Sequence, residues 1–232
     1  MKTIRIPLLV AALAALVALP AVAQRGYYGG DSGTLRIRFG EFTPDGDNDY
    51  WIDSLADFTG DEDDFADDLL GIDYLHPLGR RQSLMISASS WEADVAQEYR
   101  DFVDPAGGGI FHTTSIELTS LEAGLVWNFT DRNASVSPYV GVGGGYYDWA
   151  LTEDGEFIDF ADLSIFDARF EDSGDTFGWF WVAGIEVPLG NWRIFAEGRW
   201  TEVDDDLSGD FEGLGVLELS GRTLAFGAGW SL

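Results

Sequence analysis

The sequence contains no cysteine, only two histidines and a single lysine, Lys2. Without cysteine, a disulfide framework, a thiolate metal site and a cysteine nucleophile are all excluded. Catalysis by imidazole could draw only on His76 and His112. Long apolar runs are also missing beyond residue 23, so no later segment of the sequence is predicted to cross a bilayer as a helix.

Positive charge is scarce throughout the chain. Lysine and arginine number 13 against 41 aspartate and glutamate residues, which gives a formal net charge of −28 at pH 7. Without Lys2 and Arg5, 11 basic residues remain against 41 acidic ones, a net charge of −30. Such a chain repels phosphate backbones, so we expect no nucleic-acid partner. The acidic residues gather at 45–49, 61–64 and 204–206, as is typical of solvated loops.

The N-terminus has the pattern of a secretory signal peptide. Lys2 and Arg5 precede an apolar run at 8–19, and the small-residue sequence Ala21-Val22-Ala23 follows. The run has the length of a signal-peptide apolar region and is too short to span a bilayer. We therefore predict a cleaved signal peptide at 1–23 and one domain at 24–232.

Segments with period-two alternation of apolar and polar residues recur along the mature chain. In the first, Leu35, Ile37 and Phe39 share one face, while Arg36 and Arg38 share the other. The pattern predicts eight β-strands. They cover residues 34–42, 69–78, 82–91, 116–129, 136–149, 177–189, 192–201 and 217–232.

The connections between these segments alternate in length. The short ones are 76–81, 130–135 and 190–191, and the long, acidic ones are 43–68, 92–115, 150–176 and 202–216. Short periplasmic turns opposite long external loops are typical of a transmembrane barrel. The sequence thus predicts an all-β fold, an eight-stranded antiparallel up-and-down transmembrane β-barrel with both termini in the periplasm. The third long connection is expected either to extend its two strands or to fold over the barrel mouth.

A soluble barrel of lipocalin type is the alternative, and it would place the apolar face inside. The second faces here carry glycine or charge, and glycine suits a narrow eight-stranded interior better than tryptophan does. The tryptophans are therefore expected to face lipid and form interfacial belts. These residues are Trp179, Trp181, Trp192, Trp200 and Trp230.

Three stretches resemble the outer-membrane β-barrel domain family of small OmpA-like and OmpW-like barrels. They are VSPYVGVGGGYYDW at 136–149, WVAGIEVPLGNWRIFAEGRW at 181–200 and GRTLAFGAGWSL at 221–232. The resemblance implies an integral protein of a Gram-negative outer membrane, inserted by the barrel-assembly machinery and in contact with membrane lipid and lipopolysaccharide. It implies no particular activity. Family members usually end in phenylalanine, whereas this chain ends Trp230-Ser231-Leu232.

The inner face is expected to carry a network of charged side chains. Three guanidinium groups and four carboxylates would meet where water is scarce, so each needs a partner. One interpretation is packing that keeps the lumen shut, and the other is the lining of a narrow polar path. The residues are Arg36, Arg38, Asp73, Glu122, Glu186, Glu197 and Arg199.

The acidic loops contain one weak match to a calcium-binding loop. Asp45, Asp47 and Asp49 have the alternate spacing, but Tyr50 and Ala56 stand where glycine and glutamate are required. We therefore predict no metal site. Loose bridging of lipopolysaccharide by cations remains open for these loops.

The sequence contains few candidate catalytic residues. His76 falls in a predicted periplasmic turn, and His112 lies three residues from Ser115, so their side chains would point to opposite faces of a strand. We predict no catalytic residue and no cofactor. The expected function is a non-enzymatic, monomeric surface protein with a largely plugged lumen. A narrow channel for small or hydrophobic solutes is the first alternative, and a lipid-A-modifying enzyme using His112 with a distant residue is the second.

Overall fold

The computed structural model describes residues 33–46, 49–132 and 134–232. The predicted signal peptide and Asp47 lie outside the described residues. Within them, eight antiparallel strands form a closed barrel in which each strand pairs with its neighbours in sequence and the last pairs with the first. The barrel strands are β1 (Thr34–Pro44), β2 (Asp67–Pro77), β3 (Gln82–Glu98), β4 (Phe111–Asn128), β5 (Ser137–Asp159), β6 (Ser164–Leu189), β7 (Trp192–Glu202) and β10 (Gly221–Ser231). Two further short strands are β8 (Asp204–Asp206) and β9 (Val216–Glu218).

Strands β8 and β9 lie outside the barrel wall and form a short hairpin in the last long loop. The first long loop contains helix α1 (Asp49–Asp57) and a 3₁₀ turn (Glu62–Phe65), and a second 3₁₀ turn (Gly209–Phe211) precedes β9. The helices of the described residues include none long and apolar enough to cross a bilayer. The predicted eight-stranded antiparallel barrel is confirmed.

Four strands, β3 to β6, run at least five residues further than predicted. Strand β3 continues to Glu98, β4 begins at Phe111, and β5 and β6 form a hairpin that turns between Asp159 and Ser164. The period-two pattern persists in these acidic stretches, because carboxylates such as Asp94 and Asp154 lie on the outer face while apolar residues such as Leu151 stay inside. Glu153 is an exception, since it lies on the inner face and is buried. Of the two alternatives for the third connection, the structure shows extension of its strands.

The alternation of apolar and polar residues along the strands gives the barrel an apolar outer belt. Ile37 and Phe39 point outward, and Arg36 and Arg38 point inward and are buried. Trp181 stacks on Trp200 in the outer half, and Trp192 meets Trp230 at the periplasmic end. The predicted outward tryptophans are thus found towards both ends of the belt, where such side chains match a membrane interface.

The belt ends where the outward side chains become acidic. This level is shared by seven strands, and three pairs of like charges oppose each other directly in register. Helix α1, the β8–β9 hairpin and the extensions of β3 to β6 lie beyond it. The residues of this level are Glu41, Asp68, Glu92, Glu117, Asp148, Asp175 and Glu202.

Glycine on the inner face lets the neighbouring strands and side chains approach closely. A side chain at Gly227 would overlap the Ile37 carbonyl oxygen and the Phe195 ring. A side chain at Gly71 would come within 2.8 Å of the Arg38 guanidinium. These positions leave room inside the barrel for long charged side chains from other strands.

Candidate functional site

Asp73 on β2 lies at the centre of the barrel interior and is fully buried. Its Oδ2 accepts hydrogen bonds from Arg36 Nη2 at 3.0 Å and Arg36 Nε at 3.3 Å. Its Oδ1 accepts from Arg38 Nη1 at 3.1 Å and from Ser87 Oγ at 2.7 Å. Asp73 therefore pairs with two arginines on the neighbouring strand β1 and is itself fully hydrogen-bonded.

Glu197 on β7 binds the same two arginines from the opposite side. It accepts from Arg36 Nη2 at 3.2 Å, from Arg38 Nη1 at 3.3 Å and from the Tyr139 hydroxyl at 2.6 Å. Arg199 Nη2 lies 3.5 Å from its Oε1. Two carboxylates and two guanidinium groups thus form one cluster that crosses the lumen.

Two further ion pairs extend the cluster. Arg199 pairs with Glu122, which also accepts from the Tyr147 hydroxyl at 2.8 Å. Glu186 accepts from Arg193 Nη1 at 2.6 Å and lies 3.9 Å from Arg36 Nη1. The structure brings all seven sequence-predicted residues into the interior.

Sequence reasoning left Arg193 out of this network. Arg193 alternates with the outward Trp192 and Ile194, so its inward orientation was readable from the same pattern that placed Glu197. With it, four guanidinium groups face four carboxylates. The described network is therefore formally neutral, whereas the predicted set carried one excess negative charge.

A small cavity lies above the network. Arg38, Glu122 and Arg199 form one side of a cavity, and Phe42 and Trp91 form another. The space that the centre of a water molecule can reach there is about 20 Å³. Such a space holds about one water.

Helix α1 of the first long loop lies in the outer mouth of the barrel. Tyr50 and Trp51 are each only 1% exposed. Trp51 packs edge-on against Phe65 with ring centroids 4.9 Å apart, and its Nε1 donates to the Glu218 carbonyl at 2.9 Å. The Tyr50 hydroxyl donates to Glu153 Oε1 at 2.8 Å. Burial raises the pKa of Glu153, and the hydrogen bond from Tyr50 partly opposes this shift.

The β8–β9 loop covers the mouth from the other side. Phe211 and Leu217 are buried in the same apolar cluster as Trp51. Trp149 Nε1 donates to Asp205 Oδ2 at 2.8 Å, which ties this loop to the barrel wall. The sequence analysis treated these connections as solvated acidic loops and was wrong about their apolar residues. Aromatic residues set among the acids were the available signal.

His112 lies on the inner face of β4 beyond the belt. Its ring centroid is 4.1 Å from that of Phe58, 5.3 Å from Phe157 and 6.4 Å from Tyr99. The side chain is buried, and neither ring nitrogen has a hydrogen-bond partner among the described residues. Burial lowers its pKa from 6.5 to about 4.

The other residues considered for catalysis, Ser115 and His76, do not pair with His112. Ser115 lies on the opposite face of β4 from His112 and donates to Asp94. His76 lies within β2 instead of the turn where the sequence placed it, since that strand runs to Pro77. Its Nδ1 is 3.5 Å from the Tyr74 hydroxyl. Among the described residues, no group of three or more histidine, aspartate or glutamate side chains could hold a metal ion.

The environment of His112 gives a direct prediction. In an NMR titration of the refolded protein, we expect the His112 ring to titrate near pH 4. Because this pKa lies below the unfolded value, the external aromatic cluster should lose stability as pH falls from about 6.5 towards 4. A His76→Gln variant assigns the two ring signals. Titration of His112 above pH 6 would contradict the buried, unpartnered ring.

A closed antiparallel barrel with an apolar belt, tryptophans towards both ends and a charged interior is the architecture of an integral outer-membrane protein. The chain belongs to the outer membrane protein beta-barrel domain family, whose model matches residues 7–231. Family membership places the protein in the outer membrane of a Gram-negative bacterium.

Comparison with solved structures gives several small outer-membrane barrels. Neisserial surface protein A has a TM-score of 0.50 at 12% identity, covering 88% of this chain and 99% of that one. The N-terminal barrel domain of OprF from Pseudomonas aeruginosa has a TM-score of 0.43 at 16% identity, covering 88% and 99%. Ail from Yersinia pestis has a TM-score of 0.42 at 16% identity, covering 87% and 99%. Comparison with curated protein sequences gives no match. The likeness concerns the fold.

Proposed function

We propose that this protein is a non-enzymatic outer-membrane barrel that is closed to solutes and acts through its external loops. The observation that carries the proposal is that side chains fill the lumen at two levels. The neutral charge network crosses the middle of the barrel, and the apolar cluster around Trp51 fills its outer mouth. A rigid barrel with ordered loops is a suitable support for recognition.

The channel alternative has less support. An open path would require the Asp73 and Glu197 ion pairs to separate, leaving buried charges without partners. It would also require α1 to leave the mouth. An eight-stranded barrel gains little bore even then, since its interior is filled by side chains.

The lipid-A-modifying alternative is also disfavoured. A general base must lie within hydrogen-bond distance of the nucleophile whose proton it removes. The ring of His112 faces Phe58, Tyr99 and Phe157 and is buried, so it is out of reach of lipid at the outer surface. New acylation or deacylation of lipid A in cells expressing the protein, lost in His112→Ala, would overturn this part of the proposal.

Biogenesis and membrane contacts belong to the same proposal. Export through the signal peptide at 1–23 and insertion by the barrel-assembly machinery would deliver the domain at 24–232. The apolar belt would contact lipid, and the acidic level above it would meet lipopolysaccharide through bridging cations. Because the closed sheet has no free edge in the barrel wall, strand pairing offers no route to oligomers and supports a monomer.

The first experiment is a planar-bilayer recording of the refolded chain 24–232, after a heat-dependent gel shift has shown that it is folded. We expect no stepwise conductance, since both obstructions must be removed to open a path. The matched comparison is Trp51→Ala, which disturbs the mouth but leaves the Asp73 network in place. It should also be silent. Reproducible conductance steps from the unaltered protein would contradict a closed lumen.

A further inference from the structure

The tips of the second and third external loops expose a cluster of apolar side chains. Phe160 is 61% exposed and Leu163 is 63% exposed at the turn between β5 and β6. Val103 is similarly exposed in the loop between β3 and β4, next to the half-buried Phe102. The rings of Phe102 and Phe160 join the two loops, with centroids 5.7 Å apart. We call Phe102, Val103, Phe160 and Leu163 the tip patch.

The tip patch rests on a buried aromatic base. Phe102 packs edge-on against Tyr99, and Tyr99 packs against Phe58 with centroids 4.6 Å apart. Ile158 and Ile110 are buried in the same cluster. The exposed rings are thus held by a packed support, which reduces the entropy lost when a partner binds.

Both turns that carry the patch are closed by carboxylates. Asp104 Oδ1 accepts from the Gly108 amide at 2.7 Å, and Asp162 Oδ1 accepts from the Ser164 amide at 3.0 Å. Hydrogen bonds from Ser164 lower the pKa of Asp162 and keep it ionised. Leu163 has a φ of +61°, a conformation that favours glycine or asparagine. The turn therefore retains an exposed leucine where a smaller residue would fit the backbone better.

The rim of the patch is acidic. Residues 101–110 and 155–168 contain six carboxylates and no lysine or arginine. Nearby Arg100 donates to the backbone carbonyls of Leu55 and Gly60, and Arg169 pairs with Asp154 and Glu171. The carboxylates are Asp101, Asp104, Glu156, Asp159, Asp162 and Asp167.

We propose that the tip patch is a docking surface for a protein partner that presents apolar side chains ringed by lysine and arginine. An exposed apolar cluster with a polar rim is typical of an interaction site. The sign of the rim selects the partner, since complementary charge steers association and like charge opposes it. Polyanions, anionic membranes and a second copy of the same patch would all be repelled. The inference rests on the proposed function of the external loops and names their partner class.

The test uses the full mature chain in nanodiscs and three synthetic peptides of equal length. One combines leucine with lysine, one combines leucine with glutamate, and one combines serine with lysine. At near-physiological salt we expect the first to bind best, because it alone matches both the apolar centre and the acidic rim. Equal binding of the serine-lysine peptide would show attraction by net charge alone and would overturn the proposal.

Two variants locate the binding. Leu163→Gly removes the exposed side chain and also relieves the positive φ, so it should keep the turn intact or stabilise it. Combined with Phe160→Ser, it should weaken binding of the leucine-lysine peptide about tenfold through lost apolar contact. Ile52→Ser on α1, where the side chain is 59% exposed outside the patch, is the matched control and should bind normally.

The outcomes separate this inference from the proposed function. Unchanged binding by the double variant would overturn the tip patch as a docking surface and leave the closed lumen standing. Flotation with phosphatidylcholine vesicles that depends on Phe160 and Leu163 would identify a lipid surface and would also overturn the protein partner. Channel activity in the bilayer recording would contradict the proposed function and would leave the results of the peptide-binding experiments unchanged.

Discussion

Replacing Asp73 with alanine is expected to lower the free energy of unfolding by about 3–5 kcal/mol, the cost of breaking a buried charge pair from one side. The reason lies in the geometry of β1 and β2. Asp73 accepts hydrogen bonds from both Arg36 and Arg38, and all three side chains are almost fully buried. Without the carboxylate, the two guanidinium groups would share Glu197 and remain partly uncompensated.

Urea unfolding in phospholipid vesicles, followed by tryptophan fluorescence, measures this effect. Arg169→Ala is the matched control, since Arg169 pairs with Asp154 at 3.1 Å on the exposed hairpin. Exposed pairs contribute less than about 1 kcal/mol. A loss of stability in Asp73→Ala no larger than that of Arg169→Ala would show that water reaches the interior network, and the closed lumen would then be wrong.

Trp51→Ala is expected to release helix α1 from the outer mouth. Truncating a fully buried tryptophan typically removes about 3–5 kcal/mol of packing. Trp51 contacts Phe65 and hydrogen-bonds to the Glu218 carbonyl, so it joins the first and last external loops. Loop structure held by one cluster has a low local stability compared with the barrel. Helix α1 should therefore leave the mouth and lose its structure while the barrel stays folded.

Hydrogen–deuterium exchange resolves the two regions. We expect residues 49–57 to exchange rapidly in Trp51→Ala and the barrel strands to keep their protection. Ile52→Ala changes the adjacent, 59% exposed position of the same helix and should exchange as the unaltered protein does. Equal exchange in both variants would mean that α1 is anchored by something other than its buried aromatic face.

The barrel was predictable because the membrane and the narrow interior impose one rule on every strand. Lipid requires apolar side chains on the outside, so every spanning strand alternates apolar and polar residues. The short turns mark the boundaries between consecutive strands. The inward positions of Arg36, Asp73 and Glu197 followed from this rule. Their pairing did not, because it depends on the register between strands, which places Arg36 opposite Asp73.

The filled mouth was not predictable by the same reasoning. Tyr50, Trp51 and Phe211 stand in acidic segments, where composition indicates solvated loops. Their burial results from contacts between distant segments, as in the hydrogen bond from Trp51 to residue 218. Period-two alternation does not record such contacts. Helical spacing in a nine-residue segment gives only a weak signal.

The neutral interior depends on residues that lie late in the sequence. Arg36 and Asp73 are 37 residues apart and can pair when β1 and β2 form a hairpin, whereas Arg36 and Glu197 are 161 residues apart. A sheet that has not yet received β7 holds two guanidinium groups against three carboxylates among the network residues, and β7 adds Arg193, Glu197 and Arg199. The network residues therefore reach electrical balance with β7, one strand before β10 pairs with β1 and closes the wall. A sheet without β7 is thus electrostatically distinguishable from one that contains it.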